Sequence, residues 1–433
     1  MVGEGRTLSV VEGGSIANAG TWRMLPGSSV RGNSSLPDER FVNTGTLEVV
    51  ADTGSAFMST WVVLDGPGAV NVVSGTFDVD IGAAASGWVP DVATGARLDA
   101  TFLEPIAGVF DMTGEGTVAW SGTVTAAAPV DLAFEPGEFE TTVNTWNSTA
   151  TDPITNTGHL PITTSTTVGD GFTNTGTMEG SRTLNVRSGE TVTNTGTIVL
   201  LDGGSVRGPS PADSGLLQND GLVTTDEAAV NTNLTYLDVA GAGTVRVTAG
   251  DLSLDVVSGT TELSAGTWEA TGGVLRLDAS LRTNATVVVA AGTGTIDADF
   301  ELNTGTLTVT DGAVVTIPAS PGLTNDGVIT LGQQATLTIE RDFTNGATGS
   351  VVYDVTGPSS ADGTGELEVL GTAALDGELV IDVDPGYTPT AADAYPLMRY
   401  ASQTGTFATE TGTGGVLTTT YTPEQLVLGS GGV

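Results

Sequence analysis

The chain has 433 residues, 39% of them apolar but only 5% aromatic, with 61 glycines and a formal net charge of −38. That charge repels phosphate backbones and anionic bilayers, so no nucleic-acid partner and no membrane insertion are expected, and no apolar run approaches the ~18 residues of a membrane span. The absence of cysteine removes disulfides, thiol catalysis and Cys-ligated metals together, and all 13 basic residues are arginine.

Much glycine with few aromatics suits many short strands joined by tight turns. The opening "MVGEGRTLSV" lacks the hydrophobic stretch of a signal peptide. Residues 7–32 then align without a gap to residues 183–208, with about half of the positions identical and an offset of 183 − 7 = 176. The match continues as "GPGAVNVVSG" (66–75) against "GAGTVRVTAG" (241–250), and as "ARLDA" (96–100) against "LRLDA" (275–279). A module of about 7–100 is therefore duplicated at about 183–279. The second copy is preceded by further repeats and the first is not, so a longer protein with more modules is expected.

Above this runs a shorter repeat of the form apolar-x-Asn-x-Gly-x-apolar. It reads "FVNTGTL" (41–47), "ITNTGHL" (154–160), "FTNTGTM" (172–178), "VTNTGTI" (192–198), "LNTGTL" (302–307) and "LTNDGVI" (323–329). The motif asparagines are Asn18, Asn43, Asn156, Asn174, Asn194, Asn219, Asn303, Asn325 and Asn345. Within each run, neighbours lie one β-solenoid coil apart, enough for two or three short strands and their bends. Asn and Gly adopt left-handed backbone readily, which predicts a sharp bend at each N-x-G. Stacked coils would set each Asn above the next, in a hydrogen-bonded ladder. Alternation in "GTLTVT" puts Leu and Val inside and Thr outside.

The fold class expected is all-β: a parallel β-helix, right-handed, over residues 1–345 and drawn out into a rod. A β capping region follows at 346–433. Four of the six tyrosines fall from residue 363 onward, and Tyr387, Tyr395, Tyr400, Phe407 and Tyr421 are expected to cover the last coil.

The "F-x-N-x-G-T-L" coils, "GAGTVRV" and the closing "LEVLGTAALDGELVIDV…GYTP…YPLMRYASQTGTFA…YTPEQLVL" resemble bacterial secreted β-helix proteins of the autotransporter-passenger and filamentous-haemagglutinin types. The resemblance implies export, a place at the cell surface or outside the cell, and a role as adhesin or stalk. The partners it implies are host-cell, matrix or glycan surfaces, and further modules of the same larger protein. It implies no particular ligand.

Enzymes share β-helical folds, so the residues must decide about chemistry. With no lysine, proton abstraction by a basic side chain would fall to arginine, which titrates too high to be poised. The single histidine, His159, replaces a threonine in one motif copy and is read chiefly as an outward or turn position. The pairs Asp78/Asp80, Asp297/Asp299 and Asp382/Asp384 each put two carboxylates on one strand face. They are read first as a solubilising surface. Calcium is the only cofactor they leave room for, and it is the lesser reading. Arg31 and Arg207, each between glycines in equivalent modules, are read as loop residues paired with acidic neighbours. "FEPGEFE" (134–140) is the best candidate for a protruding binding loop. The six tryptophans are expected at coil edges, partly buried. The function expected is a structural or adhesive segment without enzymatic activity. The alternative is a carbohydrate-active β-helix enzyme or tailspike-like depolymerase, which a lateral cleft with three or more carboxylates would favour.

Overall fold

A computed structural model describes residues 3–429 except 12, 33–38, 83–87, 211–213, 227–229, 256–260, 264–265, 284–285, 290–294, 318–321, 362 and 413–416. For 59, 60, 255, 261–263, 277–283, 287–289, 295–301 it describes the backbone alone. Among the described residues strand predominates. Among the described residues the only helical element is a single 3-10 turn at Ser359–Ala361. Parallel strands stacked coil upon coil make a β-solenoid, as the repeat predicts. The chain divides into two compact units, Met1–Val199 and Leu200–Val433.

One coil of the first unit shows how the sequence builds the stack. Its three strands are Phe172–Asn174, Thr177–Gly180 and Thr183–Val186, and the next coil opens at Thr191–Asn194. Along each strand burial alternates, so Phe172, Met178, Leu184 and Val186 point inward while the threonines between them lie at the surface. Like meets like across coils: Ile154 pairs with Phe172 and Phe172 with Val192, while Asn156 pairs with Asn174 and Asn174 with Asn194. These pairings are parallel, which leaves each coil to bury its apolar row against the rows above and below.

Short strands are not universal. Thr46–Asp65, Ala69–Ile81 and Thr117–Leu132 run on through the coil corners. Register shifts at Val49/Val50, Val50/Ser55 and Met58/Val63 absorb the bends. Inside the first unit the packing is aromatic. Trp120, 1% exposed, meets Phe102, Phe110, Phe134 and Phe139 edge to face, with ring centroids 4.5, 5.3, 5.6 and 5.2 Å away.

The duplicated string folds as the same elements. Strands Ser15–Asn18, Thr21–Met24 and Ser29–Arg31 recur as Thr191–Asn194, Thr197–Leu200 and Ser205–Arg207, each displaced by 191 − 15 = 176 positions.

The second unit carries aliphatic rows, such as Leu307, Ile329, Val351 and Leu379 on successive coils. Parallel stacking continues past residue 345, through Ser350–Val355, Glu378–Val383 and Thr409–Thr411. Among the described residues, antiparallel pairing comes only at the end. There Gln425–Gly429 lies between Ala394–Gly405 and Thr418–Tyr421. In this closing region Tyr395, Tyr400 and Phe407 are buried, and Tyr387 and Tyr421 are half-buried.

Candidate functional site

The motif asparagines form polar ladders with a direction. Asn174 Nδ2 donates to Asn194 Oδ1 (2.8 Å) and to the Thr197 carbonyl (3.0 Å), while Asn174 Oδ1 accepts from Asn156 Nδ2 at 2.7 Å. Asn18 donates likewise to Asn43 at 2.8 Å, Asn303 to Asn325 at 2.8 Å, and Asn325 to Asn345 at 2.7 Å. Where a run stops, the amide turns to backbone: Asn43 Nδ2 to the Ala69 carbonyl, Asn219 Nδ2 to that of Thr244, Asn345 Nδ2 to that of Asp376. At the start of a run the oxygen needs a donor. Asn18 and Asn303 accept from Gly20 and Gly305 N–H in their own turns. Asn156 Oδ1 has no hydrogen-bond partner among the described residues, because the preceding coil offers Leu132 at that position.

The motif does not bend for the expected reason. Neither the motif asparagines nor Gly45, Gly158, Gly176, Gly196 and Gly327 have positive φ; among the described residues the non-glycines that do are Asp52, Trp61, Asn231, Tyr236 and Gln334. Glycine is required there by close approach. A Cβ on Gly176 would sit 2.2 Å from the Gly158 carbonyl oxygen, and one on Gly196 2.1 Å from that of Gly176. Stacked glycines let the Thr177 and Thr197 N–H groups reach those carbonyls at 2.8 Å.

A lateral groove of about 530 Å³ lies in the first unit, over the strands Ala69–Ile81, Arg97–Phe102, Thr117–Leu132 and Phe139–Asn147. Its floor is one outward column with Asp78, Asp99, Ala119 and Glu140 on successive coils. Ala119 leaves the depression, and Arg97 bridges it, with Nε 2.6 Å from Asp99 Oδ1 and Nη1 2.7 Å from Glu140 Oε2. Two of the three carboxylates are thus held by one guanidinium. Asp78 is not, and burial, helped by the neighbouring Asp99, raises its pKa above the usual carboxylate value. A second column, of Thr101, Ser121 and Thr142, runs alongside, and Thr101 Oγ1 lies 2.9 Å from Ser121 Oγ. The arrangement can bind hydroxyl-rich material along the stack, and Asp78 is the carboxylate there that Arg97 does not bridge.

The other singled-out residues have plainer roles. His159 faces outward with Nε2 3.0 Å from Glu179 Oε2 on the next coil. Arg207 lies over the Tyr236 ring, 5.2 Å from its centroid, so its partner among the described residues is aromatic; Arg31 is exposed. "FEPGEFE" does not present its aromatics, for Phe134 and Phe139 stack inside the core at 4.3 Å and only Glu135, Pro136, Gly137 and Glu140 are exposed. Nor do the tryptophans gather at coil edges: Trp88, Trp120, Trp146 and Trp268 are buried, Trp22 is half-buried against Phe41, and Trp61 is exposed. A core of small aliphatics leaves room that only large rings fill, which draws them inward. Asp78 and Asp80 share an outward face, and Asp382 and Asp384 are exposed. The side chains of Asp297 and Asp299 lie outside those described.

Sequence reasoning singles out neither Arg97 nor Asp99, and Glu140 only as the last residue of "FEPGEFE". The signal was there: Asp78, Asp99, Ala119 and Glu140 fall one coil apart, but only the strand register aligns them.

Compared with known protein families and with curated proteins, the chain matches none. Among the described residues, no helix is long and apolar enough to cross a membrane, and no group of three or more His, Asp or Glu is arranged to hold a metal ion.

Proposed function

We propose that this chain is a structural or adhesive segment of a larger bacterial cell-surface or secreted protein, acting outside the cell without enzymatic activity. The observation that supports it best is the economy of the stack: coils are joined by parallel pairing and asparagine ladders to their immediate neighbours. Such a body gains length by repetition without redesign of a core. Outward arginines stitch coil to coil, Arg23 to Glu48 at 2.8 Å and Arg246 to Glu269 at 2.5 Å. A charge of −38 keeps the remaining surface solvated and turns it away from nucleic acid. The partners this reading names are further modules of the same protein and host-cell, matrix or glycan surfaces.

The lateral groove favours a second reading, a carbohydrate-active β-helix enzyme, because Asp78, Asp99 and Glu140 line one lateral face. Acid–base hydrolysis needs two carboxyl groups free to exchange protons across a glycosidic bond. Here Arg97 engages two of the three, which weighs for binding over cleavage. Incubating the purified chain with acidic and neutral polysaccharides, with and without Ca²⁺, separates the readings. The structural reading expects no new reducing ends. Cleavage that disappears in Asp78→Asn would establish the enzyme instead.

A further inference from the structure

The second unit holds a cavity of about 270 Å³, distinct from the groove, where Ser359 and residues 363–365 lie beside the strands Glu366–Leu375 and Ala394–Gly405. Gln334, Thr336, Ser359, Thr364, Glu366 and Tyr395 line it with polar groups, and Pro396 adds an apolar wall. We propose that this cavity binds a single neutral monosaccharide, with Thr364 and Glu366 as its principal hydrogen-bonding contacts.

One polar atom there is left without a partner, and a second is held by a single cation. Thr364 is 9% exposed, and its Oγ1 is buried with no partner among the described residues. Glu366 Oε1 is buried too, and Arg399 Nε pairs with it at 2.5 Å, which holds the carboxylate in the wall. A buried hydroxyl without a partner in a cavity wall carries a desolvation cost that a ligand hydroxyl would relieve. The rim is also strained. Gln334 holds φ at 57°, a left-handed conformation costly for a side chain of that kind, and its N–H donates to the Thr364 carbonyl at 3.1 Å. That bond pins the turn against the loop, with the Gln334 amide at the exposed mouth. Deeper in, the Tyr395 hydroxyl is already spent on the Gly357 carbonyl (2.8 Å) and Tyr387 (3.0 Å), so the wall is rigid.

Chemistry narrows the occupant. A cation would find a single carboxylate that already faces Arg399. An anion would meet Glu366 and the field of a strongly acidic chain. Burial raises the Glu366 pKa, with Arg399 opposing, as expected of an acceptor that gains from a neutral hydroxyl donor. The volume falls below the ~300 Å³ at which drug-sized ligand sites begin, which fits one sugar ring and not a chain of them. Hydroxyls would answer Thr364, Glu366 and Gln334, and a C–H face would lie on Pro396.

Ligand-observed NMR on the full chain, with glucose, galactose, mannose and N-acetylglucosamine as probes, tests this. At least one sugar is expected to bind saturably in the millimolar range. Thr364→Val and Glu366→Gln are each expected to weaken it roughly tenfold, the effect of one buried hydrogen bond lost. Thr364→Ser, which keeps the hydroxyl, should bind nearly as well and guards against misfolding of the valine variant. No saturable binding by any of the four sugars up to tens of millimolar would overturn the proposal. So would binding that persists unchanged in a folded Thr364→Val chain.

Discussion

Asn174 shows what one residue contributes. Its amide donates forward and its carbonyl oxygen accepts from behind, so it joins three coils through a side chain with no exposed surface. Replacing it by Ala removes both side-chain links at once, the acceptor for Asn156 Nδ2 and the donor to Asn194 Oδ1. We expect Asn174→Ala to cost about 1–3 kcal/mol in denaturant unfolding, and Asn174→Asp to cost more. Aspartate keeps the shape but has no N–H to offer, and it would bury a charge. Equal stability of both variants with the parent chain would mean that the ladder carries no load. The positions of these asparagines were legible from the repeat, but the reason for the neighbouring glycine was not. Positive φ is a property of one residue and can be guessed from its type. The 2.2 Å that Gly176 would leave to the Gly158 oxygen exists only once two coils are stacked.

At the scale of elements, the groove and the closing region separate what periodicity reveals from what it hides. Alternating burial along Thr306–Val309 or Val328–Leu331 follows directly from threonine alternating with aliphatics. The inward turn of Trp120 and Phe134 does not, because aromatics suit either face of a strand until the volume of the coil interior is known. In the closing region, Asp393 is 5% exposed and accepts from the Tyr387 hydroxyl (2.7 Å), the Thr390 N–H (2.7 Å) and the Ser359 N–H (3.1 Å). These bonds, the tyrosine's first, hold its carboxyl well below the usual carboxylate range. A depressed folded pKa stabilises above the unfolded value of about 3.9 and loses that contribution as pH falls toward the folded value. Asp393→Asn should therefore be less stable than the parent chain at pH 7. The gap should narrow in unfolding measured from about pH 5 down to about pH 2. A gap independent of pH would assign the loss to packing instead.

For the molecule as a whole, the duplicated strands at an offset of 176 and the neighbour-to-neighbour ladders make one claim: coils are units that can be added or removed. The architecture was legible in the sequence because a stack repeats its chemistry at every turn. Chemistry that does not repeat, such as the Arg97 bridge or the Thr364 cavity, leaves no periodic trace and needed the register to be seen. Excising residues 157–174 tests the claim most directly. It joins Asn156 to Thr175 and removes His159–Ile162, Thr166–Val168 and Phe172–Asn174, one complete coil that includes the only histidine. Gly176 would then take the place of Gly158 above Phe134, and Asn194 that of Asn174 after Asn156. If coils depend only on their neighbours, the shortened chain keeps its strand circular dichroism and unfolds in a cooperative transition close to that of the parent chain. An unfolded or aggregated product, with its strand signal lost, would contradict the account.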